Sequence, residues 1–172
     1  MRGWKEFLEI KEIFDELKIT FFMHSGSALG IYRDQKIIVD GSNSLGFGVY
    51  GLKYLKEVRE KLIEKGYIIN PTFEWESHGN TSPMTTMIEF HSGVNGFVYF
   101  FIKDPECYRS YLDPTHPYVS FPLEYSELEE YDLNGTRINL LKPIEKYLVW
   151  VFGKKWREKE GRKSYPPLQE YE

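Results

Sequence analysis

The stretch from residue 22 to 51 holds the side chains whose types and spacing suit phosphate chemistry. An apolar run ends at Met23, the pair Gly26-Ser27 predicts a tight turn, and residues 28–32 predict one or two turns of helix. Backbone N–H groups at such a turn, followed by a helix N-terminus, favour the binding of a phosphate group. Gly26 and Ser27 are therefore the first candidate phosphate-binding residues.

The order of residues after this turn is also informative. Leu29-Gly30, Arg33 and Ile37-Ile38 follow Gly26-Ser27 at short intervals. This order resembles the opening motif of the LicD and fukutin-like family, a branch of the nucleotidyltransferase fold. In that motif a Gly-Ser or Gly-Thr turn leads through Leu-Gly and Arg to Ile-Ile-Pro, and then to Asp-x-Asp followed by an apolar residue and Gly. The resemblance implies that Arg33 contacts the donor or stabilises the fold.

The two metal-binding carboxylates of that motif are replaced in this sequence. Aligning Leu45-Gly46-Phe47 with the apolar-Gly-apolar run that closes the motif puts Ser42 and Ser44 at the places of the two acids. Mg²⁺ prefers anionic oxygen ligands, and a neutral hydroxyl is a much poorer one. Ser42 and Ser44 are therefore candidate phosphate contacts. Asp40, where an acid often precedes the pair, is the candidate catalytic and metal-binding residue.

The resemblance implies a third carboxylate on a strand next to the motif strand. Aligning on residues 98–101 puts Phe97 at its place, so this acid is replaced as well. Glu89, on the preceding predicted strand, is the second candidate metal ligand. It alternates with Ile88 and Phe90 and so points away from the face that these two share. An isolated carboxylate on a strand is more often solvated than a metal ligand.

Hydrophobic periodicity predicts the elements that position these residues. Helices are predicted at 4–17, 52–65 and after Lys142-Pro143, strands at 19–23, 45–50, 67–70, 84–90 and 96–102, and a hairpin around Asn134-Gly135. The last two of these five strands read as an antiparallel hairpin beside the motif strand. Together with the resemblance, the pattern predicts an α+β fold: a nucleotidyltransferase-like mixed sheet of about five strands covered by helices, with a C-terminal hairpin and helix.

The end of the predicted domain also follows the family order. LicD and fukutin-like proteins close with a small hairpin, Pro, Tyr-Leu, Tyr-Gly and Trp, and this sequence has Pro143, Tyr147-Leu148, Phe152-Gly153 and Trp156. We therefore predict a single domain over residues 1–160 and a C-terminal tail over 161–172. The tail is charged, contains Pro166-Pro167 and is expected to fray.

Residues 103–124 contain several prolines among many aromatic residues and read as a long loop, which in a compact domain is often functional. Arg109 is a candidate phosphate partner there, and Tyr108, Tyr111 and His116 are candidate walls of a ligand cleft. An aromatic-rich loop that simply packs on the core explains the same pattern equally well.

Composition narrows the function classes. A formal net charge of −4 and a pI near 5.7 argue against a general nucleic-acid binder, which needs a basic face. A single cysteine, Cys107, excludes an internal disulfide and a cysteine-cluster metal site, and fits a reducing compartment. The charged N-terminus lacks the apolar segment of a signal peptide, and no apolar run reaches the ~18 residues of a membrane span. We therefore expect a cytoplasmic protein.

Two functions from different classes remain open. The resemblance implies a transferase that moves a phospho-alcohol, of the phosphocholine or phosphoribitol type, from a CDP donor to a glycan with the help of Mg²⁺ or Mn²⁺. The alternative is a catalytically inactive protein of the same fold, a pseudoenzyme, that binds a nucleotide, a phosphosugar or a protein partner and needs no cofactor. The resemblance favours the transferase as the family function. The replaced residues are the ones whose charge the transfer chemistry needs, which favours loss of catalysis in this chain.

Overall fold

A computed structural model describes residues 3–37, 44–70, 86–110 and 119–158 of the chain. The helices in these ranges are α1 (Trp4–Glu16), α2 (Ser25–Asp34), α3 (Leu55–Glu64) and α4 (Ile144–Phe152). The strands are β1 (Phe21–Met23), β2 (Leu45–Tyr50), β3 (Ile68–Ile69), β4 (Met87–His91), β5 (Asn95–Lys103), β6 (Cys107–Ser110), β7 (Val119–Pro122), β8 (Glu127–Leu133) and β9 (Thr136–Lys142). A 3₁₀ turn, Leu123–Tyr125, follows β7.

The main sheet is mixed, as predicted. Its strand order is β1-β2-β5-β4-β3, with β6 paired to the end of β5 and β7 paired to β6. β2 and β5 run parallel, and the other neighbouring strands run antiparallel. The predicted β4-β5 hairpin therefore does lie beside the motif strand β2, which confirms the α+β architecture.

One face of this sheet, the α1 face, is covered by α1 and α3. The rings of Phe7 and Phe14 from α1 lie 6.1 and 5.6 Å from the ring of Phe47 on β2. Val58 and Leu62, at helical spacing on α3, are fully buried. Each such side chain contributes about 1.5–3 kcal/mol to stability through burial.

The opposite face, the α4 face, is covered by α4 and the β8-β9 hairpin. Asn134 and Gly135 at the hairpin turn both have positive φ, 54° and 80°, as a type I′ turn requires. The side-chain amide of Asn139 on β9 donates to the Phe21 carbonyl oxygen at 2.9 Å, which fixes the hairpin to β1. None of the helices in the described ranges is of a length and apolarity that would let it cross a membrane.

Two local predictions were wrong. Gly26 and Ser27 do not form a turn before a short helix; they lie in the first turn of α2, which begins at Ser25. Residues 103–124 are not one long loop, because β6 and β7 form an antiparallel pair there and extend the described part of the main sheet to seven strands. Pro122 is tolerated because it ends an edge strand.

Candidate functional site

The candidate phosphate-binding corner lies where β1 passes into α2. Backbone of extended conformation at His24 (φ −119°, ψ 152°) precedes Ser25, whose φ of 51° turns the chain into the helix. Gly26 and Ser27 follow at the positive end of the helix dipole. None of the hydrogen bonds among the described residues uses the Gly26 N–H. The geometry suits an anion bound through the backbone.

The hydroxyl of Ser27 joins this corner to the start of β2. Ser27 is fully buried, its Oγ donates to the Ser44 carbonyl oxygen at 3.2 Å, and it accepts the Gly46 N–H at 2.9 Å. Ser27 therefore contacts the described residue of the candidate motif, Ser44, and the phosphate-binding roles of Gly26, Ser27 and Ser44 stay predictions. Both hydrogen-bonding roles of the Ser27 hydroxyl are already used, so the side chain satisfies buried backbone groups.

A buried histidine and a distant tyrosine hold the first turn of α2. His24 is 2% exposed, and the Tyr147 hydroxyl of α4 lies 2.7 Å from its Nδ1. The same hydroxyl accepts the Ser25 N–H at 2.9 Å. Burial lowers the pKa of His24 to about 3, so the ring is neutral at pH 7 and its Nδ1 can accept from Tyr147. Sequence reasoning missed this contact, because nothing in the local pattern links residues so far apart.

Two successive positions of β2 on the α4 face, Gly46 and Gly48, carry no side chains. A Cβ added to Gly46 would lie 2.9 Å from the His24 carbonyl oxygen, and one added to Gly48 would lie 2.3 Å from ring atoms of Phe22. Real Cβ atoms essentially never approach other atoms to less than 3.0 Å. Gly46 and Gly48 are therefore required by close packing, and the strand leaves no room for a carboxylate at either place.

The neighbouring strands continue this row with a ring and one acid. Gly46 pairs with Phe97 on β5, and Phe97 pairs with Glu89 on β4. Phe97 thus lies on the strand next to β2, where the third carboxylate was expected, and its ring stacks on Tyr99 at 5.8 Å. Glu89 lies one strand further away, on the face opposite Ile88 and Phe90, as the alternation predicted.

The Glu89 carboxylate already has partners. Its Oε2 accepts from the Asn70 side-chain amide at 2.9 Å, and its Oε1 lies 3.6 Å from Nε2 of His91. The side chain is 17% exposed. These contacts fix Glu89 at the β3-β4 side of the sheet, and its role as a metal ligand stays a prediction.

The described residues do not fit a divalent metal site of the expected kind. Within the described ranges no three side chains of His, Cys, Asp or Glu come together in a group that could hold a metal ion. Mg²⁺ and Mn²⁺ need several oxygen ligands, at least one or two of them carboxylates. Asp40 and Ser42 lie outside the described residues, so their predicted roles stay predictions.

The two candidate arginines make contacts inside the fold. Arg33 donates to the Asp34 carboxylate at 2.7 Å and, through Nη1, to the Trp156 carbonyl oxygen at 3.2 Å. It therefore ties α2 to the segment after α4, and its contact with a phosphate or donor stays a prediction. Arg109 on β6 is 2.9 Å from the Asp104 carboxylate and 3.1 Å from Cys107 Sγ.

The predicted aromatic cleft is partly a packed surface. The ring of Tyr108 lies 4.7 Å from that of Tyr50 and 5.5 Å from that of Phe121. Tyr108 therefore packs against the core, as in the second explanation given for this region. Tyr111 and His116 lie outside the described residues.

Comparison with known proteins supports the fold. No protein-family model matches the sequence, and no curated protein does. Among solved structures, the chain is similar to the lincosamide antibiotic adenylyltransferase LnuA in its lincomycin-bound form, with a TM-score of 0.55 and 17% sequence identity. The match covers 86% of this chain and 84% of LnuA. The chain therefore has a nucleotidyltransferase-like fold, as the sequence predicted.

Proposed function

We propose that this chain binds a nucleoside phosphate at the corner between α2 and β2 and does not transfer it. The observation that supports the proposal is the row formed by Gly46, Phe97 and Glu89. Gly46 and the ring of Phe97 lie nearest the corner. Glu89, whose carboxylate is the only one in this row, lies on β4, two strands away from β2.

Phosphoryl and nucleotidyl transfer depend on compensating the charge that develops on the phosphate oxygens. In metal-dependent enzymes a cation held by carboxylates supplies most of that charge. The described part of the corner instead offers the unused N–H of Gly26 at the positive end of α2, beside the neutral ring of His24, because the Ser25, Ser27 and Ala28 N–H groups already donate to Tyr147 and to the His24 carbonyl oxygen. A backbone N–H group of this kind binds a phosphate in its ground state but gives little added stabilisation to a transition state.

The second candidate function is the transferase. It is favoured by the contact between Ser27 and Ser44, which keeps the expected motif together, and by Asp40, four residues before Ser44 in the sequence. In this case the chain would move a phospho-alcohol from a CDP donor to a glycan acceptor, and Asp40 would hold Mg²⁺ or Mn²⁺. Because LnuA is an adenylyltransferase, ATP is a further candidate donor.

Calorimetric titration separates these functions. CTP, CDP and ATP are each added to the protein with Mg²⁺, with Mn²⁺ and with EDTA. Binding of any of them with the same affinity in the presence and absence of metal supports the non-catalytic function. An affinity that rises at least about tenfold, about 1.4 kcal/mol, with metal contradicts it and supports the transferase. Absence of binding under all conditions contradicts both.

A further inference from the structure

We propose that a groove along the exposed side of α4 is the docking site of the chain's own segment 164–171, Ser-Tyr-Pro-Pro-Leu-Gln-Glu-Tyr. The groove has a volume of about 310 Å³ and lies between α4, the 3₁₀ turn at Leu123–Tyr125 and the residues that follow α4. It is distinct from the α2-β2 corner and does not depend on the proposed function.

The lining of the groove is aromatic and partly exposed. Tyr125, Val149, Trp150 and Trp156 line it. Val149 and Trp150 are 39% and 38% exposed, although both are large apolar side chains on a helix whose other face is buried. A cluster of exposed aromatic and aliphatic side chains of this kind is typical of a surface that another segment covers.

Trp156 adds a polar requirement. It is 4% exposed, and its Nε1–H is a buried side-chain donor that has no hydrogen-bond partner among the described residues. A buried donor left in this state costs about 1–3 kcal/mol, so an acceptor at this place would stabilise the protein. Backbone carbonyl oxygens of an extended segment are suitable acceptors, as they are when proline-rich segments bind aromatic grooves.

The sequence of the segment matches this lining. Pro166-Pro167 is flanked by Tyr165 and Leu168, so four successive residues present rings or apolar side chains. Proline also lowers the conformational entropy that is lost on docking. Glu170 and Glu172 follow. The charged residues that line the groove are Glu145, Lys146 and Arg157; Arg157 pairs with Glu145, so Lys146 leaves one positive charge opposite to theirs.

Chain length favours the protein's own segment over a second copy. The described chain reaches Glu158, two residues after Trp156, and residues 159–164 connect it to Tyr165. Seven residue steps span at most about 25 Å, and the path begins at the groove itself. A short linker raises the effective concentration of the segment to the order of millimolar, so even weak contacts are made within one chain.

Paramagnetic relaxation in the full-length protein tests the proposal. In a Cys107→Ser background, Gln169→Cys carries a nitroxide spin label, and the indole N–H signals of the ¹⁵N-labelled chain are recorded. We expect the Trp150 and Trp156 signals to be lost and to return when the label is reduced. Trp4 of α1, which packs on Phe7 on the other face of the sheet, should keep its signal. Retention of all three signals would overturn the proposal.

Two further measurements make the result specific. Val149→Lys, in the groove, should restore the Trp156 signal, whereas the matched control Ile63→Lys, also an exposed apolar residue but on α3, should not. Loss of signal that persists in Val149→Lys would mean that the label reaches Trp156 without docking in the groove, contrary to the proposal. Finally, spin-labelled chain is mixed with ¹⁵N-labelled chain that lacks the label. Loss of the Trp150 and Trp156 signals in that mixture would mean that a second copy is the occupant, contrary to the proposal.

Discussion

The Tyr147 hydroxyl on α4 lies 2.7 Å from Nδ1 of His24, a residue 123 positions earlier in the chain. Because the same oxygen accepts the Ser25 N–H, one hydroxyl satisfies a buried ring nitrogen and the first N–H of α2. The C-terminal helix therefore determines the conformation of the corner where we expect a phosphate to bind.

Tyr147→Phe should destabilise the protein, because it leaves both groups without their partner while keeping the ring. We expect the free energy of unfolding, measured by urea denaturation, to fall by about 1–3 kcal/mol. Tyr54→Phe is the matched control, since the Tyr54 hydroxyl makes no hydrogen bond with any described residue. An equal loss in both variants would show that the Tyr147 hydroxyl has no special structural role.

Ser27→Ala should have a comparable effect for a different reason. It removes the only side chain that both accepts the Gly46 N–H and donates to the Ser44 carbonyl oxygen in the described structure. We expect a loss of about 1–3 kcal/mol in unfolding free energy, against less than about 0.5 kcal/mol for the exposed control Ser92→Ala. If Ser27→Ala leaves the free energy of unfolding unchanged, a water molecule must replace the hydroxyl group without loss of stability.

His24 should make stability depend on pH. Its pKa is 6.5 in the unfolded chain and about 3 in the folded protein, so between these values the unfolded state binds more protons. The contribution of His24 to the free energy of unfolding should therefore be fully present above pH 6.5. It should decrease as the pH falls towards 3, by up to about 1.4 kcal/mol per pH unit.

Urea denaturation of His24→Leu between pH 7 and pH 4 checks this, because the variant should lose that part of the slope. Phe101→Leu changes a ring 5.2 Å from His24 without removing a titratable group. It should lower stability by the same amount at every pH. A His24→Leu curve parallel to that of the wild type would contradict the prediction.

Gly48→Ala should destabilise the sheet through overpacking, by about 1–3 kcal/mol. The added methyl group would occupy the space of the Phe22 ring. Phe22→Leu shortens that side chain, so the double variant should lose less stability than the sum of the two single variants, as a double-mutant cycle measures. Strict additivity would mean that the two residues do not compete for the same space.

Ser42→Asp/Ser44→Asp should create metal-dependent nucleotide binding if the motif alignment is right. Two carboxylates beside the Gly26-Ser27 corner would supply the ligands that Mg²⁺ or Mn²⁺ needs. Calorimetry with CTP and metal gives the readout, and Gln35→Asp/Ser92→Asp adds the same charge at exposed positions as a control. No gain in the first variant would show that these serines do not occupy the places of the acids.

The sequence predicted the elements whose patterns are local. The stripe of α1, the hairpin turn at Asn134-Gly135 and the β4-β5 pair beside β2 all follow from side-chain period and turn chemistry, and all are present. The beginning of α2 was placed too late because Gly26 and Ser27 are poor helix formers. Their helical conformation depends on contacts from other elements, namely the bond from Ser27 Oγ to Ser44 and the hydroxyl of Tyr147.

The candidate site was predicted only in outline for a similar reason. Motif order selected Ser27 and Ser44 as candidate residues, but it did not indicate the role of His24, because the partner of His24 is remote in sequence. The strands β6 and β7 were missed because their prolines and aromatic residues are equally typical of a loop. Pairing with the end of β5 decides between the two conformations, and that pairing is a tertiary contact.

The two glycines of β2 also limit how this protein could change over time. Since the His24 carbonyl and the Phe22 ring fill the space beside positions 46 and 48, an acidic residue cannot be introduced at either position by one substitution. At position 48 a smaller residue in place of Phe22 would have to come first, whereas at position 46 the obstacle is a backbone carbonyl oxygen that no side-chain substitution removes. Positions 46 and 48 of β2 can therefore serve only close packing. A new charged or catalytic side chain near the corner would have to come from the segments next to β2.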